Sequence, residues 1–179
     1  MLDDGFGHWI AGFTAGEGCF EFRLTKDKKF RPRFSLKLRD DDAPMLFKLA
    51  TALGCGRVYP EQRDGKNPVA VYAVHDIESL YSIIIPCFER YPLRAKKARE
   101  FEVWKAAVTM MFQITRRRKI NTRWGWFPRY TKAERAQLAE YGKLLKALKR
   151  YKPDRLEGET VRIESPKEVQ LPLEPWERD

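Results

Sequence analysis

The sequence contains little cysteine and histidine, and this limits the kinds of site that it can build. There are three cysteines, Cys19, Cys55 and Cys87, and no two of them form a Cys-x-x-Cys pair. An odd number of widely spaced cysteines argues against a disulfide framework or a zinc site and fits a reducing compartment. The two histidines, His8 and His75, stand far apart in the chain and form no ligand cluster.

Long apolar runs are also absent. No run reaches the ~18 residues that a membrane span needs. The first residues, MLDDGFGHW, are acidic and lack the apolar core of a signal peptide. We therefore expect an intracellular protein without a membrane partner, in the cytoplasm of a prokaryote or in an organelle.

Basic residues are abundant, and their distribution divides the chain. The net charge is +10 and the pI is about 9.6, which favours a polyanionic partner over the alternative of a merely solvated cationic surface. Residues 152–179 hold five basic residues, eight acidic residues and four prolines, so the excess of basic charge belongs to residues 1–151. We predict a core domain over 1–115, a basic loop and C-terminal helix over 116–151, and a Pro-rich acidic tail over 152–179.

The hydrophobic period changes along the chain in a repeated order. A short apolar helix at residues 8–16 precedes two alternating segments, CFEFRLTK and RPRFSLKLR, which predict a β-hairpin with Phe20, Phe22 and Leu24 in the core. A second helix ends before Gly54 and is followed by two more strands. Further helices follow, the last of them beginning at a Thr-Lys-Ala-Glu capping box. This order predicts an α+β fold with one four-stranded antiparallel sheet, helices on one face, and an added C-terminal helix.

The segment IAGFTAGEG, residues 10–18, resembles the motif that names the LAGLIDADG family of homing endonucleases. Ala11, Gly12 and Gly18 match letter for letter, and Glu17 stands where the family has its metal-binding acid. The αββαββα order supports the resemblance, and the segment YPLRAKKAREFEVWKAA looks like the family's region near its basic active-site residue.

The resemblance implies an intron-encoded DNA endonuclease. A homodimer is expected to bind a long pseudo-palindromic double-stranded DNA site, to hydrolyse one phosphodiester per strand with divalent metal, and to leave short 3′ overhangs. Two alternatives on the same scaffold stay open: an RNA maturase that assists splicing of its host intron, and a DNA-binding protein that has lost catalysis.

The small residues of the motif helix predict a close contact between helices. Ala11, Gly12, Ala15 and Gly16 leave the helix side bare, and small residues four apart lie on one face. Because the sequence contains no second copy of the motif, the partner is expected to be the same helix of a second chain, related by a two-fold axis. Tight packing within one monomer is the alternative.

The acid that closes the motif helix is a candidate metal ligand. A carboxylate at a helix C-terminus faces the negative end of the macrodipole, and a bound cation relieves that repulsion. The resemblance implies that Glu17 and its dimer mate share the metals, with the backbone oxygen of Gly16 as a further ligand. Oxygen ligands suit Mg²⁺; we expect Mn²⁺ to substitute and Ca²⁺ to bind without supporting cleavage. A solvated glutamate opening a turn is the alternative.

Two groups of side chains complete the predicted site. The resemblance implies that a basic residue assists catalysis. The three candidates are Lys96, Lys97 and Arg39, and Arg94 is an alternative to the two lysines if the local alignment is shifted by a few residues. The outward positions of the predicted sheet form a DNA-binding face that fits the major groove, and a basic loop adds phosphate contacts. The predicted DNA-binding residues are Glu21, Arg23, Thr25, Arg31, Arg33, Ser35, Lys37, Arg57, Tyr59 and Arg63 on the strands and Arg116, Arg117 and Arg118 in the loop.

Overall fold

A computed structural model describes residues 2–26, 29–63, 66–117, 119–122, 125–128 and 130–150 of the chain. The elements, in chain order, are α1 (Asp4–Glu17), β1 (Gly18–Leu24), β2 (Phe30–Arg39), α2 (Ala43–Leu53), β3 (Arg57–Arg63), β4 (Lys66–Val74), α3 (Ile77–Ser79), α4 (Ile85–Arg90), α5 (Ala95–Arg117), β5 (Lys119–Thr122), β6 (Gly125–Pro128) and α6 (Lys132–Lys149). A π-helical turn, Leu80–Ile84, joins α3 to α4, and a 3-10 turn, Asp40–Asp42, precedes α2.

The first four strands form one antiparallel sheet in the order β1-β2-β4-β3. Inward side chains are matched across it: Phe20 lies opposite Phe34, and Leu36 lies opposite Tyr72. The helices cover this face, and Trp104 of α5 is completely buried against it. The predicted α+β fold with the αββαββα order is therefore confirmed.

The core is centred on an aromatic cluster. The Phe20 ring contacts the rings of Phe34, Phe88, Phe101 and Trp104 at centroid distances of 5.0 to 5.7 Å. Aromatic pairs at this separation stabilise a core by about 0.5–1.5 kcal/mol each beyond the burial of their area. The cluster fixes β1, β2, α4 and α5 relative to one another, and so positions the end of α1 that leads into β1.

Local sequence signals agree with the structure at several helix ends, although Asp42, the N-cap residue of α2, makes no side-chain cap bond. Asp3 caps α1 through a 2.9 Å bond from the Phe6 backbone N–H, and Thr131 forms both bonds of the predicted capping box with Glu134. Gly54 ends α2 with φ of +66°, a conformation that favours glycine. Asp76 accepts a 2.7 Å bond from the backbone N–H of Ser79.

Three details correct the predictions, and a fourth prediction, the turn between the third and fourth strands, is not tested. The motif helix begins at Asp4 and ends at Glu17 rather than covering only residues 8–16. Leu24 is 54% exposed, because it lies at the end of β1 beyond the helices, so it is not a core residue. The predicted loop at 116 begins inside α5, which continues through Arg117, and part of that loop forms the two-stranded β5–β6 sheet. The predicted Asp64–Gly65 turn lies outside the described residues.

Among the helices of the described part, none combines the length and the apolar composition that crossing a bilayer requires.

Candidate active site

The two sides of α1 have opposite surroundings. Gly7, Ile10, Ala11 and Thr14 are buried, because they face the sheet and the helices of this chain. Ala11 was predicted to lie in an interface between chains, but it is 6% exposed and belongs to the chain's own core. Residues 11 and 12 are neighbours in sequence and so point about 100° apart on a helix.

The other predicted interface residues remain open. Gly12, Ala15 and Gly16 are exposed, and a Cβ added to Gly12 or Gly16 would meet nothing within 4 Å. Trp9 lies on the same side, is 36% exposed, and stacks on Phe13 at 4.8 Å. This side of the helix is bare backbone flanked by aromatic rings.

Gly18 is required by the chain's own packing. Its backbone N–H donates to the Thr14 carbonyl and closes the helix. A Cβ at this position would lie 2.5 Å from that oxygen and 2.4 Å from the Thr14 Cγ2 atom. The helix therefore ends at Glu17, whose side chain is exposed, and β1 begins at the next residue.

The free edge of β1 is covered by side chains from the last two helices. Lys97 Nζ donates to the Gly18 carbonyl at 2.7 Å, and Trp104 Nε1 donates to the Glu21 carbonyl at 3.1 Å. Lys149 Nζ, at the end of α6, donates to the Phe20 carbonyl and lies 3.4 Å from the Cys19 sulfur. An edge strand presents unpaired backbone groups, and these contacts satisfy several of them.

The structure separates the three candidate basic residues. Lys97 lies at the exit of α1, next in space to the residue that follows Glu17. Lys96 points instead toward the end of α6, where it donates to the Lys149 carbonyl at 3.2 Å. Arg39 ends β2 and is ion-paired with Asp41. Among the three, Lys97 alone has a contact with the motif.

The outward face of the sheet carries a connected set of charged side chains. Arg33 lies 3.7 Å from Glu21, which also pairs with Arg23, and its other amino group donates to the Tyr59 hydroxyl at 3.1 Å. Such contacts hold long side chains in place above the sheet. Arg31 lies opposite Arg23 in the β1–β2 register, and Arg57 is exposed on β3.

Lys37 forms a second pair on this face, with both carboxylate oxygens of Glu61 at 2.8 and 2.9 Å. His75 follows the end of β4. Burial and the nearby charges of Arg33 and Arg31 lower the pKa of its imidazole below the usual value. His75 therefore lies beside the arginines of this face and is partly shielded from solvent.

Several predicted DNA contacts lie elsewhere. Ser35 is 2% exposed and lies between Cys19 and Ala73 in the middle of the sheet, so it does not reach the surface. The Thr25 hydroxyl donates to the Lys29 carbonyl at 2.9 Å and shapes the β1–β2 turn. Arg116 is in α5, not in a loop, and pairs with Glu78 at 3.2 Å.

The remaining predicted contacts lie at the ends of β3 and α5, next to residues that the structure does not describe. Arg63 ends β3 opposite Lys66, and Arg117 ends α5. Arg118 lies outside the described residues.

Comparison with known proteins decides the family. The model of the LAGLIDADG endonuclease family matches residues 10–108, which include the motif, the whole sheet and the Lys97 region. The chain belongs to the LAGLIDADG endonuclease family.

A similar curated protein is the probable intron-encoded endonuclease Cox1-I1b of Schizosaccharomyces pombe. It is 30% identical over 156 residues, which are 85% of this chain and 36% of that protein. The first five curated relatives are matched over 19 to 39% of their length, so this chain spans about a fifth to two fifths of them.

Solved structures of LAGLIDADG proteins share the fold. The homing endonuclease I-GzeII, solved with its DNA target, aligns with a TM-score of 0.67 at 19% identity and covers 84% of this chain and 47% of that one. The homing endonuclease I-TnaI aligns with a TM-score of 0.63 at 22% identity and covers 83% and 97% of the two chains.

Two residues near the LAGLIDADG motif were not found from the sequence. Glu100 pairs with Lys97 at 3.1 Å, and its i,i+3 spacing on a helix was the one local signal for it. Lys149 stands 130 residues after Cys19, and nothing in the nearby sequence indicates that α6 brings it to β1.

Proposed function

We propose that this LAGLIDADG chain is a homing endonuclease, which acts as a homodimer on a long, pseudo-palindromic double-stranded DNA site. The observation that carries the proposal is the meeting of three features at one end of α1. An exposed acid, Glu17, ends the motif helix, the ammonium of Lys97 is fixed one residue further on, and an arginine-rich sheet face begins with β1. The relatives' names, such as intron-encoded endonuclease, support the same activity.

The bare side of α1 supports the dimer. Each glycine in a helix interior costs about 1 kcal/mol relative to alanine. Gly7, inside the helix, is required by this chain because a Cβ there would lie 2.3 Å from the Tyr91 ring, whereas the space around Gly12 and Gly16 is open. A second α1 packed on this side by a two-fold axis would place backbone against backbone, which a side chain at either position would prevent.

The exposed donors at the end of α1 fit a divalent cation of the Mg²⁺ type. The Glu17 carboxylate and the Gly16 carbonyl are oxygen donors at the negative end of a helix. Within the described residues no group of three or more histidine, cysteine or acidic side chains could hold a metal ion, so we expect a second carboxylate from outside the chain. The second would be the Glu17 of the other protomer.

The sheet face would position the DNA. A two-stranded ribbon fits the major groove of B-DNA, and arginine is a natural partner for guanine edges and phosphates. Arg23, Arg31 and Arg33 lie on the β1–β2 ribbon, and Arg57 and Tyr59 extend its face on β3. Arg33 is held by Glu21 and Tyr59, so part of the face is ordered before DNA arrives.

The reaction would be hydrolysis of one phosphodiester in each strand. A water oxygen forms a bond to phosphorus, the bond from phosphorus to the 3′ oxygen breaks, and the products carry a 5′ phosphate and a 3′ hydroxyl. Bound Mg²⁺ would supply Lewis-acid stabilisation of the charge that develops on the oxygens. Lys97 would hold its protons at Nζ and present a positive charge to the phosphate, which stabilises the transition state.

The test is cleavage of a plasmid library that contains randomised, two-fold-symmetric inserts. We expect linear products from one family of long sites with Mg²⁺ or Mn²⁺, binding without cutting in Ca²⁺, and no cutting in EDTA. Sequencing of the ends would show short 3′ overhangs.

Binding without cutting in every metal would contradict the proposal and favour an inactive DNA-binding protein. Rescue of host-intron splicing by a protein that cuts no DNA would favour a maturase instead.

A further inference from the structure

Glu100 is a buried charge that the proposed reaction does not use directly. It is 3% exposed, and among the described residues it is the one charged residue that is almost completely buried. Burying a carboxylate is costly unless it is paired and hydrogen-bonded. The residue that pairs with Glu100 should therefore indicate the function of a buried carboxylate in this part of α5.

The partner is Lys97, and the pair reaches the LAGLIDADG motif. Glu100 Oε2 lies 3.1 Å from Lys97 Nζ, and the same ammonium donates to the Gly18 carbonyl at 2.7 Å. The side chain of Lys97 is 16% exposed, whereas that of Lys96 is 47% exposed and lies 4.0 Å from the other Glu100 oxygen. Glu100 thus distinguishes between two adjacent lysines by distance and burial.

Two acceptors from two different elements fix one flexible amine. A free lysine side chain carries about 2 kcal/mol of rotamer entropy. Glu100 holds the ammonium from α5, and the Gly18 carbonyl holds it from β1. An amine held in this way need not be ordered when the reaction begins, which is how positioned groups lower a barrier.

We infer that Glu100 is a positioning residue, which holds the Lys97 ammonium at the exit of the LAGLIDADG helix. Its consequence for cleavage rests on the function proposed above. The competing explanation is an ion pair that only stabilises α5. Glu102 and Lys105 provide a matched control, because they form an i,i+3 pair of 2.9 Å on the same helix with Glu102 exposed.

The first measurement needs no DNA. The folded full-length protein is labelled with trace acetic anhydride, and the acetylation of each lysine is quantified by mass spectrometry. In E100Q we expect the reactivity of Lys97 to rise about 3- to 10-fold, since a flexible amine that has lost its carboxylate partner is freer to meet the reagent. E102Q should leave Lys97 unchanged. An unchanged Lys97 in E100Q would overturn the inference.

The second measurement is single-turnover cleavage of the site recovered from the library. We expect E100Q to lower the rate about 10- to 100-fold, since small misplacements of a reacting group have effects of this size. DNA affinity in Ca²⁺ should change little, and E102Q should cleave at the wild-type rate. A structural ion pair would instead lower both rate and affinity in proportion to the unfolded fraction.

A double variant keeps the test decisive if E100Q folds poorly. K97M/E100Q removes both charges together and so leaves no unpaired buried charge. If Glu100 acts through Lys97, K97M/E100Q should cleave at the rate of K97M alone, because effects of groups that act as a unit do not add.

A further rate loss in the double variant would overturn the inference. The two proposals can also fail separately. A wild-type protein that cuts no site, but in which E100Q still frees Lys97, would contradict the proposed function and leave the positioning contact established.

Discussion

The two sides of α1 show how one short motif serves two different purposes. On the buried side, Ile10, Ala11 and Thr14 join the core, and Gly18 closes the helix where no Cβ fits. On the open side, Gly12 and Gly16 have free space where a side chain would go. The small residues on the buried side are required by the packing of this chain. On the open side, a side chain at Gly12 or Gly16 would meet no other part of it within 4 Å. The difference separates what the fold requires from what a partner would require.

The open side should control activity without controlling the fold, and Glu17→Gln tests this with the largest effect. Glu17 is exposed, so the free energy of unfolding should hardly change. Cleavage should fall on the order of 1000-fold, because a cation that has lost its carboxylate no longer supplies several kcal/mol of stabilisation. The measurement is single-turnover cleavage in Mg²⁺, with circular dichroism to confirm the fold. Near wild-type cleavage would remove Glu17 from the metal site.

The closing glycine should have the opposite effect, on stability. We expect Gly18→Ala to lower the free energy of unfolding by about 3 kcal/mol, at the upper end for an overpacked site, since the new Cβ meets backbone and not a flexible side-chain end. Urea denaturation measures this. Gly142→Ala on α6 is the control: its nearest neighbour would be 3.5 Å away, an ordinary contact. Equal stability of the two variants would contradict the structure at Gly18.

A large side chain at position 12 tests whether the open side of α1 packs against a second chain. Gly12→Leu should leave the monomer folded but weaken self-association about 100-fold, a loss of roughly 3 kcal/mol from separating two closely packed helices. Sedimentation equilibrium measures the dissociation constant. Ala133→Leu, an exposed position on α6, controls for added apolar surface. A wild-type chain that is monomeric at micromolar concentration would contradict the proposed homodimer and its two-fold-symmetric DNA site.

The smallest effect concerns a polar atom on the buried side. Within the described residues, the Thr14 hydroxyl is buried without a hydrogen-bond partner. An unsatisfied buried group costs about 1–3 kcal/mol, so Thr14→Val should raise the free energy of unfolding by about 1 kcal/mol. Thr115→Val is a useful comparison, because the Thr115 hydroxyl donates to the Met111 carbonyl at 2.8 Å. Destabilisation by Thr14→Val would indicate that this hydroxyl has a partner.

Short-range signals in the sequence predict the helices, the strands and their order well. Alternation in β1 and β2, the left-handed Gly54 and the capping box at Thr131 each act within a few residues, and the structure agrees with all of them. The incorrect predictions concern residues whose exposure depends on how a neighbouring element packs against them. Ala11 was assigned to an interface because its size suits one, but burial depends on which way the helix is turned against the sheet.

The site is less predictable for the same reason. The sequence identifies Lys96 and Lys97 as a pair, and only packing shows that Lys97 faces the motif while Lys96 faces α6. Ser35 alternates as an outward residue should, yet it is buried in the middle of the sheet. Lys149 reaches the site across 130 residues, and no local pattern carries that information. The i,i+3 spacing indicates that Glu100 can pair with Lys97, but not that the pair lies against the end of α1.

The groups that cover the edge of β1 are synthesised long after the strand itself. The Phe20 carbonyl receives its hydrogen bond from a lysine 129 residues later, and Lys97 reaches Gly18 across 79 residues. A chain leaving the ribosome therefore displays an open strand edge, with a phenylalanine on it, until the last two long helices have been made. The bond from Lys149 to the Phe20 carbonyl can form only after α6 has been made, so the edge of β1 is the part of the sheet that is completed last.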